Sequence, residues 1–424
     1  MEEKKQWLPS LLFVLAVFLR LVYLFLIPLG QAPDEIFHFE RIYYEKLTLD
    51  SKDIINSPIL GPNTELVHPP LYYWVYKIFL VLLIQLIRLP SENLISAFMH
   101  YGFFLRLINL TFSVITLYLW KVFLDKLKLS KYLYLLSLII LFFIPTLVGS
   151  SFSINIDSLY LFLTSCVIVY LPNLINKEDF NKILIVGIFT GLALLTKLYS
   201  IGIIFSVIYL LLWKYRYKSH QLLKSLVLYL LPVFLLTGWW FINNIINYND
   251  PFATDILRIS TITNIKPFAF KGYILMFLYW SYQTFLVSFG STNNIRLANF
   301  LYSILALLII FSLIGIFKKK SKVIQSQVLN SLALFSCLNF LQMVYLNFRI
   351  SFQPQGRYLF ATLPFYSVLL SLGITNISSK KSKWKSIVFV AFLFIVLHIL
   401  SLNCLLWYYL NIVIIPPSLV CKLY

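Results

Sequence analysis

The amino-acid sequence predicts an all-α polytopic membrane protein, and three observations carry that prediction. Of its 424 residues, 60% are hydrophobic and only 12% are charged, about half the charged share of an average soluble protein. Mean hydropathy is +0.83 because apolar runs of roughly twenty residues recur along the chain, the length a helix needs to cross about 30 Å of hydrocarbon. Basic residues fall in short tracts between these runs, as topology signals do. Lipid offers no partner for backbone polar groups, so each span must satisfy its own as a helix. The net charge of +19 then reads as membrane orientation. Nucleic-acid binding, which gathers cations on one face or arm, is not expected.

Residues 1–6 read as a cytosolic segment, with Lys4 and Lys5 as inside anchors, ahead of a first span at 7–29. That span is long, contains Arg20 and lacks a small-residue cleavage site, so it reads as an uncleaved anchor rather than a signal peptide. Further spans are expected near 132–149, 157–175, 183–198, 199–213, 225–247, 298–317, 327–348, 357–376 and 386–412. The basic tracts at 121–131, 177–182, 214–224, 318–322 and 380–385 all fall on the cytosolic side only if two apolar segments do not cross. One is either 70–89 or 101–120, and the other is 272–290. The expectation is about eleven crossings plus two re-entrant or interfacial helices, with thirteen crossings as the alternative. The chain reads as one integral-membrane domain over 1–424. Its four cysteines, Cys166, Cys337, Cys404 and Cys421, show neither metal-type nor disulfide-type spacing, and Cys166 and Cys337 are expected to pack as small apolar residues.

Against this apolar background the stretch 31–70 stands apart. It holds Asp34, Glu35, Glu40, Glu45, Asp50, Asp53 and Glu65, seven of the sixteen acidic residues in the chain. Acids are costly near a bilayer and are retained there for work. With the first span running outward, this loop lies on the outer face. It is joined there by polar pieces at 150–158, 248–271, 288–296 and 349–358.

Pro33-Asp34-Glu35 reads as the first turn of a helix, with acids over its positive end. Helical spacing puts Asp34, His38 and Arg41 on one face, where a carboxylate serves as general base and a cation holds an anion; a well-capped surface helix explains the same pattern. His68-Pro69-Pro70 marks a rigid entry into an aromatic interfacial helix, and His68 is a candidate only in combination. Asn155 and Asp157 sit in a short outer turn, and Asp157 either caps the next helix or faces a site. Lys197 either neutralises a phosphate or extends to the interface. In Gln355-Gly356-Arg357-Tyr358, Arg357 opens an apolar helix whose dipole disfavours a cation, which points to an anion such as phosphate; an ordinary loop arginine is the alternative.

The acidic pair after the first span, the His-Pro-Pro-Leu entry, the Asn-x-Asp turn and the late Gln-Gly-Arg-Tyr loop together resemble the GT-C superfamily of membrane glycosyltransferases. More narrowly, PDEIFHF with QGRYLFATLP resembles uncharacterised bacterial membrane proteins allied to the protein O-mannosyltransferases and the lipid A aminoarabinose transferases. The motifs run from residue 33 to 364. The resemblance implies a GT-C-like bundle of about 11–13 transmembrane helices with a catalytic first outer loop. It implies a polyprenyl-phosphate sugar donor and a glycan, lipid or protein acceptor. Asp34 matches the catalytic base, and Glu35 its companion, hydrogen-bonding the acceptor or binding a metal. Arg357, with Lys197 as a weaker candidate, would hold the donor phosphate; His38, Arg41, His68, Asn155, Asp157, Gln355 and Tyr358 are the further substrate-binding candidates read from the residues themselves. A divalent cation, Mg2+ or Mn2+, is required by some relatives; Asp34 and Glu35 are the residues that would bind it, though the loop has no clear Asp-x-Asp. The chain also lacks the large soluble C-terminal domain of oligosaccharyltransferases, so asparagine-linked transfer is not expected.

The expected setting is a plasma membrane, with a cytosolic N-terminus and the active site outside. The rival readings are a transporter or flippase, or a polymerase, of lipid-linked saccharides. Transporters favour polar groups at mid-span on broken helices in repeated halves, whereas here the acids cluster in one loop.

Overall fold

The computed structural model describes residues 7–44, 68–89, 93–176, 178–254, 270–318, 326–350, 352–379 and 382–423. Glu45, Asp50, Asp53 and Glu65 of the acidic loop, and most of the expected outer loop 248–271, lie outside the described residues.

The chain folds into a helical bundle. Its first part comprises α1 (Trp7–Leu26), α2 (Glu35–Tyr44), α3 (Leu71–Ile87), α4 (Leu94–Lys126), α5 (Lys131–Phe142), α6 (Pro145–Ser150), α7 (Asp157–Asn176), α8 (Phe180–Leu194), α9 (Ile201–Tyr215) and α10 (Ser219–Tyr248). After α11 (Phe270–Leu286) come two short strands, β1 (Ser288–Phe289) and β2 (Ile295–Leu297). The chain continues through α12 (Asn299–Lys318), α13 (Ser326–Arg349), α14 (Leu363–Ile377), α15 (Lys383–Leu410) and α16 (Pro417–Val420) to β3 (Cys421–Leu423).

Among the described residues, 9 helical stretches are long and apolar enough to cross a membrane. Two shorter passages also run from end to end, which makes eleven. One is α5 with α6, whose far end is tied to the loop after α1 by Ser153 Oγ donating to the Pro33 carbonyl at 3.1 Å. The expected single span 132–149 is broken there. Pro145 lacks an N–H and forces the preceding Ile144 into extended backbone (ψ 119°), so it can only start a new helix. The other passage is α8, which begins beneath Lys224 and ends beside Lys197.

Two apolar helices do not traverse. The amide of Leu71, at the start of α3, donates to Leu195 O. Tyr76 donates to Asn109, and just past the helix Leu89 O accepts from Tyr101, so α3 packs along only the first half of α4. The segment 70–89 is therefore the one that does not cross, while 101–120 lies within a spanning helix. In α11, Tyr273 near the start bonds the Asn347 carbonyl near the end of α13, and the backbone just past its end is held by Thr146 at the start of α6. Both of its ends thus lie at the same end of the bundle.

Several lysines lie at the other end. Lys126 donates to Val169 O, Lys214 to Leu174 O, Lys218 pairs with Glu178, and Lys383 lies over Tyr132. Inside the bundle, small residues let helices touch: a Cβ on Gly315 of α12 would fall 2.0 Å from the Gly373 carbonyl of α14, the close approach that membrane helices exploit.

Cys404 and Cys421 form a disulfide, which corrects the reading from spacing. Their linear separation of 17 residues gave no signal. The helix α15 ends at Asn411 with a left-handed residue (φ 57°), and the chain turns back through Pro416-Pro417 so that β3 lies beside it. There β3 pairs with β2, Cys421 opposite Leu297, in a sheet of order β1-β2-β3. Cys166 is buried as expected, but Cys337 is exposed on the outside of the bundle.

Candidate active site

The site begins at the turn between α1 and α2. Helix α2 starts at Glu35, two residues later than the sequence suggests, and Asp34 adopts φ 61°. That left-handed conformation disfavours most side chains and is tolerated by Asp. Glu35 fixes the turn. Its carboxylate accepts from the amides of Gly30 (2.9 Å) and Ile154 (3.1 Å), and from Arg106 Nε at 2.8 Å and Nη2 at 2.6 Å. Arg106 also donates to the carbonyls of Ile27 and Pro28 at the end of α1. One buried ion pair therefore holds α1, α2, α4 and the loop before α7 in register. Its carboxylate is occupied within the protein, which differs from the acceptor or metal role the resemblance implies.

Asp34 is left to face elsewhere. Its Oδ2 lies 2.5 Å from Arg357 Nη2, with the aspartate side chain 35% exposed and the arginine only 5%. Arg357 belongs to a 3-10 turn, Gly356–Thr362, that leads into α14. Gly356 is required there because a Cβ would meet the Ser281 carbonyl at 2.2 Å. The Gly356 amide donates to Thr284 Oγ1 at 2.8 Å, pinning the turn to α11. Arg357 Nε lies 3.6 Å from Asp157 Oδ2. Its Nη1 and Nε are both buried without a hydrogen-bond acceptor.

Asp157 does not cap α7. That task falls to Asn155, whose Oδ1 accepts from the Asp157 amide at 3.0 Å. The Asp157 carboxylate instead pairs with Lys197, which follows α8 and is buried beneath three tyrosines. Its ammonium lies 4.5 Å from the ring centre of Tyr358, 5.4 Å from Tyr199 and 5.8 Å from Tyr160. Such an aromatic cage holds a cation where water cannot.

These groups line one cavity of about 440 Å³. Asp34, His38, His68, Asn155, Asp157, Lys197, Gln355, Arg357 and Tyr358 all contribute to its wall. Two sequence candidates do not. Glu35 lies behind the wall with Arg106, and Arg41 stacks 3.7 Å from the ring centre of Tyr73, which also hydrogen-bonds His38 at 2.9 Å. His38 and Arg41 thus share α2 but not a task, and Asp34 precedes the helix.

Sequence reasoning missed Arg106, although an arginine within the apolar run 101–120 is a signal in itself. It also missed Tyr199 and the polar wall contributed by Asn293, Gln342 and Asn347. Among the described residues no three His, Cys, Asp or Glu side chains gather as metal ligands, and Asp34 and Glu35 are turned to different arginines.

The helical fold is similar to that of ArnT. ArnT from Cupriavidus metallidurans superposes with a TM-score of 0.50 at 13% identity, covering 89% of this chain and 61% of its own. Its complex with undecaprenyl phosphate gives 0.49 at 14%, with 95% and 72% covered. The Archaeoglobus fulgidus oligosaccharyltransferase, in complex with zinc and sulfate, gives 0.46 at 12%, with 93% and 52% covered. This chain thus spans about three fifths of the first ArnT structure. No family profile matches the sequence, and no curated protein sequence does.

Proposed function

We propose that this protein is a GT-C type glycosyltransferase that moves a sugar from a polyprenyl-phosphate donor to an acceptor hydroxyl, with Asp34 as general base and Arg357 holding the donor phosphate. The observation that supports this reading best is the Asp34–Arg357 contact. It joins a solvent-accessible carboxylate to a buried guanidinium that still has two nitrogens without a hydrogen bond, of which Nε lies 3.6 Å from Asp157.

The chemistry follows from charge. The acceptor oxygen attacks the anomeric carbon, the bond from that carbon to the phosphate oxygen breaks, and its electrons leave with the phosphate. The acceptor's proton passes to Asp34. Among the described wall residues, two carboxylates, Asp34 and Asp157, balance two cations, Lys197 and Arg357. Leaving the sugar makes the phosphate more negative, and protonating Asp34 removes one negative charge from the same cavity. Phosphate on Nη1 and Nε of Arg357 would share the guanidinium with Asp34 and loosen its hold on the carboxylate. Buried donors of this kind act strongly because little water screens them. Lys197, already aligned by Asp157, adds a second positive charge. Glu35 serves as a positioning residue. Among the described wall residues both carboxylates are held by these cations, and no step is routed through a divalent ion.

We assign the cavity to the outer face of a plasma membrane. The disulfide lies at the cavity end and needs an oxidising compartment, while the lysines at the other end match the cytosolic side.

The test is mass spectrometry of acceptors incubated with the protein in lipid and short-chain polyprenyl-phosphate sugars. A covalently extended acceptor with equimolar polyprenyl phosphate supports transfer. Movement of intact donor across a sealed vesicle, with no new glycosidic bond, would make the protein a flippase instead.

A further inference from the structure

We infer, resting on the glycosyltransferase reading, that the sugar taken from the donor is uncharged and polyhydroxylated, and that Gln342, Gln355, Asn155 and Tyr199 recognise it.

The argument starts from what the charged groups of the cavity already do. Asp157 is paired with Lys197, and Asp34 with Arg357. Among the described wall residues no carboxylate is left over for the ammonium of an amino sugar. No lysine or arginine is left over for the carboxylate of a uronic acid either, once Arg357 and Lys197 serve the phosphate. Burying an unpaired sugar charge in such a cavity would be costly.

The other described wall residues, apart from His38 and His68, carry no ionisable acid or base of the Asp, Glu, Lys or Arg type, and several have unspent hydrogen-bonding capacity. Asn155 Nδ2, Tyr199 Oη and Gln355 Oε1 are buried without a protein partner. Gln342, on α13, lines the same cavity. Native interiors rarely leave such groups unpaired. A donor, an acceptor and a hydroxyl that can be either suit ring hydroxyls, which both give and accept. Other amides of the wall are spent on the fold: Asn347 accepts from the Gln353 amide at 2.8 Å and donates to the Met343 carbonyl at 2.9 Å. Phe37, Tyr199 and Tyr358 also line the cavity and add apolar ring surface to its wall.

The experiment uses the full chain in nanodiscs and three short-chain polyprenyl-phosphate donors, carrying a neutral hexose, an amino sugar and a uronic acid. Binding and turnover are both measured. The neutral donor should bind at least about tenfold more tightly than either charged one, a gap of about 1.4 kcal/mol. Gln342→Glu should shift relative affinity toward the amino sugar by about tenfold, while Gln342→Ala weakens the neutral donor without favouring it. Tighter binding of a charged donor by the unmodified protein would overturn the inference, as would a Gln342→Glu variant with unchanged preference. Selective binding of the neutral donor without transfer to any acceptor would sustain the inference about the sugar and sink the transferase reading, so the two fail separately.

Discussion

Asp34 and Arg357 lie 323 residues apart in sequence and meet through Oδ2 and Nη2 at 2.5 Å. The contact joins the turn after the first helix to the turn before the next-to-last spanning helix. It is made only when the whole bundle closes. Each residue is delivered by a backbone feature that tolerates little change: a left-handed aspartate on one side, and on the other a glycine pressed against Ser281.

Replacing Arg357 by lysine keeps the charge and loses the planar fork. Losing one charge-assisted hydrogen bond costs about 1.5–3 kcal/mol, so donor affinity should fall by about 10–100-fold. Titration of short-chain donor by isothermal calorimetry checks this, with circular dichroism showing that the bundle is intact. Unchanged affinity would remove Arg357 from the phosphate site.

Glu35 and Arg106 make the opposite prediction, on folding rather than chemistry. Both are buried, and removing one partner from such a pair costs about 3–5 kcal/mol because the other charge is stranded. Glu35→Gln should lower the unfolding temperature in detergent and the yield of folded protein. Glu35→Gln with Arg106→Met should recover part of both, since no lone charge remains. A Glu35→Gln protein of full stability and lost activity would instead return Glu35 to a direct role.

Cys404 and Cys421 should resist alkylation until the protein is reduced, with a mass shift of two labels afterwards. Opening a 17-residue closure should cost about 3 kcal/mol. The effect should be felt at the cavity, because β3 pairs with β2 and the β1–β2 turn supplies Ser291, Thr292 and Asn293 to its wall. Alkylation of both thiols without reductant would contradict the bridge.

How much of this could be read from the sequence follows from what each signal depends on. Hydropathy reports on lipid exposure, so the bundle was legible, and the basic tracts required the two non-crossing segments that became α3 and α11. Residues whose type is costly in lipid also stood out, and Asp34, Asp157, Lys197 and Arg357 share one cavity. What stayed hidden depends on three-dimensional pairing. Asp34 and Glu35 are neighbours with identical charge, and only the position of Arg106 shows that Glu35 is occupied. Asn155, not Asp157, satisfies the start of α7 because Lys197 and Arg357 draw the Asp157 carboxylate away. The disulfide needed a chain reversal that no spacing rule contains, and neutral amides such as Gln342 carry no signal at all in a sequence.

The most direct test of the central claim compares wild-type protein with Asp34→Asn, which preserves shape and hydrogen bonding but cannot take the proton. Acceptor-dependent release of polyprenyl phosphate would be followed in lipid, with donor binding measured in parallel. The account predicts a fall in kcat of about 10²–10⁴-fold at donor affinity within a few-fold of wild type. Equal rates in the two proteins would contradict it and leave Asp34 as a partner of Arg357 alone.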